Sequence, residues 1–395
     1  MKKAVIVCAK RTPIGSFQGA LSSLTASKLG SIVIKQILEE THIDPSLIDE
    51  VIMGNVISAG TGQAPARQAA IYAGLPDKTE CLTINKMCGS GLKAIMLAHQ
   101  AILCGDADII VAGGMESMSN APYVLPEARN GYKIGHGKVL DTIIVDGLWD
   151  VYNDIHMGSC AENCARNFKF TREQVDEFAA ESYKRTLNAQ EKHLFDDEIV
   201  KVTISSKKGD IVVTEDEDPK KVKFDKIPSL RPAFEKDGIV TAANASNIND
   251  GASAVLIMSE EKALELGYEP LVEIVAQSSA AKAPIDFTTA PADAINKVLK
   301  KAGLSKDQID LYEINEAFAV VSLAVNKLVG LEPKNVNVNG GAIALGHPIG
   351  ASGARILTTL IHEMKRRGAK LGLASLCIGG GEASAVIVKN YVKGH

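Results

Sequence analysis

The 395 residues predict an α/β protein built by duplication, with a loop-rich domain inserted late in the first copy. Three observations carry this reading. Short apolar runs alternate with amphipathic stretches over the first 117 residues, as in a mainly parallel sheet covered by helices. The pattern then recurs: residues 34–50 line up with 295–311 at a spacing of 261, Gly91 with Gly353 at 262, and Gly113 with Gly379 at 266. Between the copies, glycines, prolines and charges replace the alternation. The expected division is residues 1–117 with 247–270 as the first half, 118–246 as the insert, and 271–395 as the second half.

Residues 4–9 read as a buried strand, followed by the turn R-T-P-I-G-S-F-Q-G and a helix over about 25–40. Asp44, Pro45 and Ser46 open a short helix, residues 51–57 a strand running into a loop, and 64–72 another helix. Thr83 and Ile84 end a strand, after which Leu92, Ile95, Met96, His99, Ile102 and Leu103 recur at helical spacing. Cys88 therefore falls at a helix N-terminus, where unpaired N–H groups and the helix dipole are expected to favour a thiolate. Residues 107–112 form an apolar strand that Gly113-Gly114 is expected to stop. Within the insert a helix covers 171–191, and strands at 201–204 and 211–214 lead into the acidic run E-D-E-D-P.

Composition excludes several functional classes. Apolar residues make up 46% and charged residues 23%, with a net charge of -4 and no basic run longer than Lys365-Arg366-Arg367, so neither nucleic acid nor an anionic membrane is an expected partner. No uninterrupted apolar run reaches membrane-spanning length, and M-K-K-A-V-I-V leads straight into a strand, which makes a cytoplasmic protein the expectation. Seven cysteines without a C-x-x-C pair fit a reducing compartment and argue against a zinc site.

In a duplicated unit, corresponding turns tend to face one another, and four turns here carry reactive residues. The first is N-K-M-C-G-S-G around Cys88. The second, residues 337–353, frames His347 between Gly346 and Pro348, and proline restrains the preceding backbone to an extended form. The third ends a strand at Cys377 and continues into three glycines whose N–H groups can hold an oxyanion. The fourth, E-I-N-E-A-F, ends a strand at Asn315, whose amide can orient water or a carbonyl. Taken singly, these are an inert cysteine, a structural histidine, a tight turn and a turn asparagine. Together, two cysteines and one histidine suit covalent acyl transfer, one sulfur carrying the acyl group and the other moving a proton.

With N-K-M-C-G-S-G, N-E-A-F, N-G-G-A-I-A-L-G-H-P and C-I-G-G-G in place, the chain resembles the thiolase family over essentially its whole length. The resemblance implies a duplicated thiolase fold, layered α-β-α-β-α, and a homotetramer arranged as a dimer of dimers. It implies a reversible Claisen condensation of two acetyl-CoA to acetoacetyl-CoA and CoA, with no cofactor required and coenzyme A as substrate and product. Cys88 is then the nucleophile, His347 its base and Cys377 the acid or base at the α-carbon. His347 and a water on Asn315 form one oxyanion hole, and the N–H groups of Cys88 and Gly379 the other. Leu148, His156, Met157, Ser246, Phe287 and Phe318 match acyl or pantetheine contacts. Lys221 and Lys226 match positions near the nucleotide end, where a solvated charge run is the alternative. Tyr183, Ala242, Ala243, Ala245 and Ile343 match the potassium site of some members, with Ile343 in place of the usual valine. Phe287 also matches members that accept 2-methyl-branched substrates, but Thr288 departs from their proline. A ketoacyl-ACP synthase would lack the second reactive cysteine, a Cys-His hydrolase would need no CoA segment, and a scaffold would form no acyl-enzyme.

Overall fold

Apolar runs too short for helices pair into one sheet, and the amphipathic stretches between them cover it. The computed structural model describes residues 2–205 and 209–392. The first half runs β1 (Ala4–Arg11), α1 (Ala26–Thr41), β2 (Glu50–Gly54), α2 (Pro65–Ala73), β3 (Glu80–Ile84), α3 (Ser90–Cys104) and β4 (Ile109–Ser117). Two long helices, α4 (Met157–Phe168) and α5 (Arg172–Glu191), follow within the insert, and β5 (Asn249–Ser259) returns to the sheet. The second half runs β6 (Val272–Ala281), α6 (Ala290–Ala302), β7 (Leu311–Ile314), α7 (Ala319–Val329), α8 (Ser352–Arg367), β8 (Leu371–Ile378) and β9 (Glu382–Asn390).

The strand order is β7-β8-β9-β6-β1-β5-β4-β2-β3, with Gly15–Ser16 pairing onto β5. The two halves meet through a short antiparallel pairing of Val5 with Glu273 and Ile6 with Val272. Only the β2–β3, β2–β4 and β7–β8 pairs of this sheet are parallel. The mainly parallel pairing expected of the first 117 residues is found there, β2 running parallel to β3 and β4, while the sheet as a whole is mixed because β5 and β9 each close their half by returning antiparallel. Helices α3 and α8 pack together between the half-sheets, α1 and α2 cover the first half outside, and α6 and α7 cover the second. The result is the layering α-β-α-β-α.

The duplication is physical at the centre. A side chain at Gly91 would meet the Ala354 backbone at 2.8 Å, and one at Gly353 would meet the Leu92 backbone at 2.4 Å. Equivalent glycines of α3 and α8 therefore let the two helix starts cross in near-contact. The Gly113–Gly379 alignment does not hold in the same way: Gly113 lies inside β4, whereas Gly379 follows β8. Nor does Gly113-Gly114 stop its strand, which runs on to Ser117. Those glycines make room, since a Cβ on Gly113 would lie 2.1 Å from the Ser253 carbonyl and one on Gly114 2.0 Å from that of Gly350. The stretch Met87–Cys104 is long and apolar enough to cross a membrane by composition alone, and its place in the central layer accounts for that character. Helix α4, unread in the sequence, joins α5, α6 and α7 in one core, so the insert's helices are packed on the second half.

Candidate active site

The turn from β3 to α3 is locked by its own side chains. Met87 adopts φ 47, in the left-handed region that non-glycine residues rarely enter, and its N–H donates to Asn85 Oδ1 at 2.9 Å. Ser90 Oγ accepts from the Lys86 N–H at 2.8 Å and donates to the Met87 carbonyl at 2.7 Å. This bend projects Cys88 into a cleft of about 900 Å³ that His347 and Gly379 also line. The N–H groups of Gly379 and of Cys88 itself point at the Cys88 sulfur.

A resting thiolate is not what results. Burial pushes the Cys88 thiol up to about 11, and the charge of Glu116 adds to the rise, while the two N–H groups only partly offset it. The N–H group at the helix start does lower the thiol, as expected, but desolvation outweighs it. At neutral pH Cys88 is a thiol and needs a base.

That base is at hand. His347 is buried, and its backbone N–H donates to Asn249 Oδ1 at 3.0 Å. Its Nδ1 lies 2.6 Å from Ser352 Oγ and 3.4 Å from Asn315 Nδ2, and its Nε2 has no hydrogen-bond partner among the described residues. Burial, and then the positive charge of Arg355, lower the imidazole to about 3, which keeps it neutral. Cys377 is fully buried and lies beneath the cleft wall rather than on it. Burial first, and then the neighbouring charge of Cys88, raise its thiol. Asn315 is likewise fully buried, behind the Nδ1 edge of His347, with its Oδ1 3.5 Å from Arg355 Nη2.

Leu148, His156, Met157, Lys221, Lys226, Ser246, Phe287 and Phe318 all line the same cleft. One wall is aromatic: His156 stacks on Phe234 at 4.8 Å, Phe234 meets Phe318 edge-on at 6.1 Å, and Phe318 meets Phe287 edge-on at 6.5 Å. Lys221 is ion-paired with Glu217 at 3.0 Å and Asp218 at 3.4 Å, whereas Lys226, 65% exposed, has Asp225 at 3.6 Å as its one ion-pair partner among the described residues. Tyr183, Ala242, Ala243 and Ala245 line the cleft too, while Ile343 is fully buried away from it.

Several residues that shape the site gave no sequence signal. Glu116, at the inner end of β4, accepts from Asn55 Nδ2 at 2.8 Å and from the N–H groups of Val56, Ile57 and Gly350 at 3.0, 3.2 and 2.9 Å. It ties the loop after β2 to the His347 turn. Glu316 does the same on the other side, accepting from Ser182, Asn337 and the Ile343 N–H, and a side chain at Gly341 would collide with its carboxylate. Asn249 and Phe234 were missed for the same reason: each is made relevant only by a partner far along the chain.

The Thiolase, N-terminal domain family matches residues 4–261 and the Thiolase, C-terminal domain family residues 268–390. Acetyl-CoA acetyltransferase of Cupriavidus necator is 54% identical over 98% of this chain and 100% of its own length. Acetyl-CoA acetyltransferase 1 of Arabidopsis thaliana is 53% identical over 97% and 93%. Among solved structures, the acetyl-CoA acetyltransferase of Bacillus anthracis superposes with a TM-score of 0.97 at 44% identity, covering 99% of both chains. The Acat5 thiolase of Ascaris suum, in complex with coenzyme A, gives 0.94 at 45% identity over 99% and 100%. The chain belongs to the thiolase family of acyltransferases.

Proposed function

We propose that this protein is an acetyl-CoA C-acetyltransferase that reversibly joins two acetyl-CoA into acetoacetyl-CoA and CoA through an acetyl-Cys88 intermediate. The observation that carries the reading is the meeting, in one cleft, of a protonated thiol at Cys88 with a neutral His347 whose Nε2 has no partner among the described residues. Nε2 takes the Cys88 proton as the sulfur attacks the first thioester carbonyl. The N–H groups already aimed at that sulfur, from Cys88 and Gly379, hold the tetrahedral oxyanion. CoA leaves with the Cys377 proton. The Cys377 thiolate then removes the α-proton of the second acetyl-CoA, whose enolate oxygen is held by the His347 imidazolium and a water on Asn315. Attack on acetyl-Cys88 releases acetoacetyl-CoA, and the Cys88 sulfur recovers its proton from His347, so every proton is accounted for.

The cleft suits a CoA thioester. Leu148, Met157, Ser246 and the aromatic wall would enclose pantetheine and the short acyl group, and Lys226, exposed and held only by the longer 3.6 Å contact to Asp225, would meet a phosphate at the mouth while Lys221 stays in its ion pairs. Mixing the enzyme with acetyl-CoA is expected to leave an acetyl group on the Cys88 peptide that a second acetyl-CoA discharges as acetoacetyl-CoA. A chain that takes up no acetyl group, or whose adduct only hydrolyses, would overturn the reading.

The same proposal covers assembly, location and an ion. Tyr123, Leu125, Tyr132, Ile134 and Val139 expose apolar surface along the insert, and β3 is an uncovered sheet edge, which together support a homotetramer built as a dimer of dimers. All seven cysteines are free, in keeping with a cytoplasmic protein. Tyr183, Ala242, Ala243 and Ala245 all line the cleft, and a phenol hydroxyl and backbone carbonyls are the hard oxygen donors that suit potassium. Potassium is expected to raise the rate severalfold over sodium at equal ionic strength; equal rates would remove the ion from the scheme.

A further inference from the structure

The two ring nitrogens of His347 face different surroundings, and the difference fixes where its proton sits. Nδ1 lies 2.6 Å from Ser352 Oγ, and Ser352 Oγ lies 3.0 Å from the Pro348 carbonyl. The Ser352 hydroxyl sends its hydrogen toward the Pro348 carbonyl, which also accepts from the Ala351 and Ser352 N–H groups, and in that arrangement Oγ offers lone pairs to the imidazole. Nδ1 then donates, which is the arrangement an Nε2 base for Cys88 requires. A neutral imidazole with its hydrogen on Nδ1 carries its lone pair on Nε2, the nitrogen without a partner among the described residues.

Asn315 Nδ2 is the other group near Nδ1, at 3.4 Å, and the Arg355 guanidinium near Asn315 Oδ1 accounts for the amide turning its nitrogen toward the ring. The Ser352 contact is shorter by 0.8 Å, and its hydroxyl oxygen can accept a hydrogen from Nδ1 where the Asn315 amide nitrogen cannot. Around the ring, Arg355 on α8 is the neighbouring charge, and the thiols of Cys88 and Cys377 are the titratable groups of the site.

We propose that Ser352 is a positioning residue of the acyl-transfer reaction: by accepting from Nδ1 it holds His347 in the tautomer whose Nε2 can take the Cys88 proton. Ser352 is the first residue of α8, whose start is pinned against α3 by Gly91 and Gly353, so the hydroxyl is held by the central crossing of the fold. The inference rests on the acetyl-Cys88 mechanism and reaches beyond it to a residue that meets neither substrate nor sulfur.

The test has two arms. Nitrogen-15 histidine spectra of the wild-type protein, with the His347 signals assigned by their loss in His347→Asn, are expected to show the proton on Nδ1 at neutral pH. A proton on Nε2 overturns the proposal, whether or not any Ser352 variant folds. In single-turnover acetylation by acetyl-CoA, Ser352→Ala is expected to load Cys88 about 10- to 100-fold more slowly, and Ser352→Thr, which keeps the hydroxyl, to stay within about threefold of wild type. Wild-type-like loading of a folded Ser352→Ala also overturns the proposal. Failure of the wild type to load at all would instead overturn the underlying mechanism.

Discussion

Cys88→Ser is expected to lower kcat for acetoacetyl-CoA formation by at least about 10⁴-fold and to leave no acetyl-enzyme. A serine hydroxyl in the same place keeps the bend at Met87, the helix start and the N–H groups, but its ionisation is harder still than that of a buried thiol. The wild-type thiol, pushed up to about 11, adds a signature in pH. Burial disfavours the thiolate, so alkylation of the free enzyme at Cys88 by iodoacetamide should climb about tenfold per pH unit between about pH 7 and 9. A plateau across neutral pH would mean a preformed thiolate–imidazolium pair and would contradict the neutral His347. Near-normal turnover by the serine variant would remove Cys88 from the chemistry.

Cys377→Ala is expected to separate the half-reactions. Acetylation of Cys88 should survive at a reduced rate, because His347 and the N–H groups of Cys88 and Gly379 are untouched while the departing CoA must take from water the proton that Cys377 otherwise gives. Condensation should fall by about 10³- to 10⁴-fold, the loss expected of a proton-transfer group at the α-carbon. Exchange of the α-hydrogens of a bound, non-condensing acyl-CoA with solvent deuterium should fall in parallel. A variant that condenses at full rate would mean that some other group takes the α-proton. One that fails even to acetylate would show that Cys377 supports the nucleophile instead, from its place near Cys88.

Much of this was legible in the chain because it depends on local patterning. Thr25 was placed at the start of a helix and caps it by accepting from the Lys28 N–H, and the segment after Thr171 opens with a capping box closed by Gln174. The spacing of Ile34 and Ile295, and of Gly91 and Gly353, announced two copies of one unit, and the crossing of α3 with α8 realises it. Where the reading failed, a neighbour remote in sequence was responsible. Gly113 and Gly114 looked like a strand stop and are instead clearances for the Ser253 and Gly350 carbonyls. The acidic run after Thr214 gave no hint that Asp216 is fully buried against Arg11, 2.7 Å away.

The sequence by itself determined the reactive turns, the repeat and the family, since periodicity, turn residues and motif spacing are written along the chain. Only the tertiary structure decided the protonation states. Whether Cys88 rests as a thiol, and which nitrogen of His347 is bare, depend on desolvation and on partners such as Gly379, Ser352, Arg355 and Asn249, brought together from the turn after β8, helix α8 and strand β5. Burial and hydrogen bonding are properties of the packed neighbourhood, and a linear spacing carries neither.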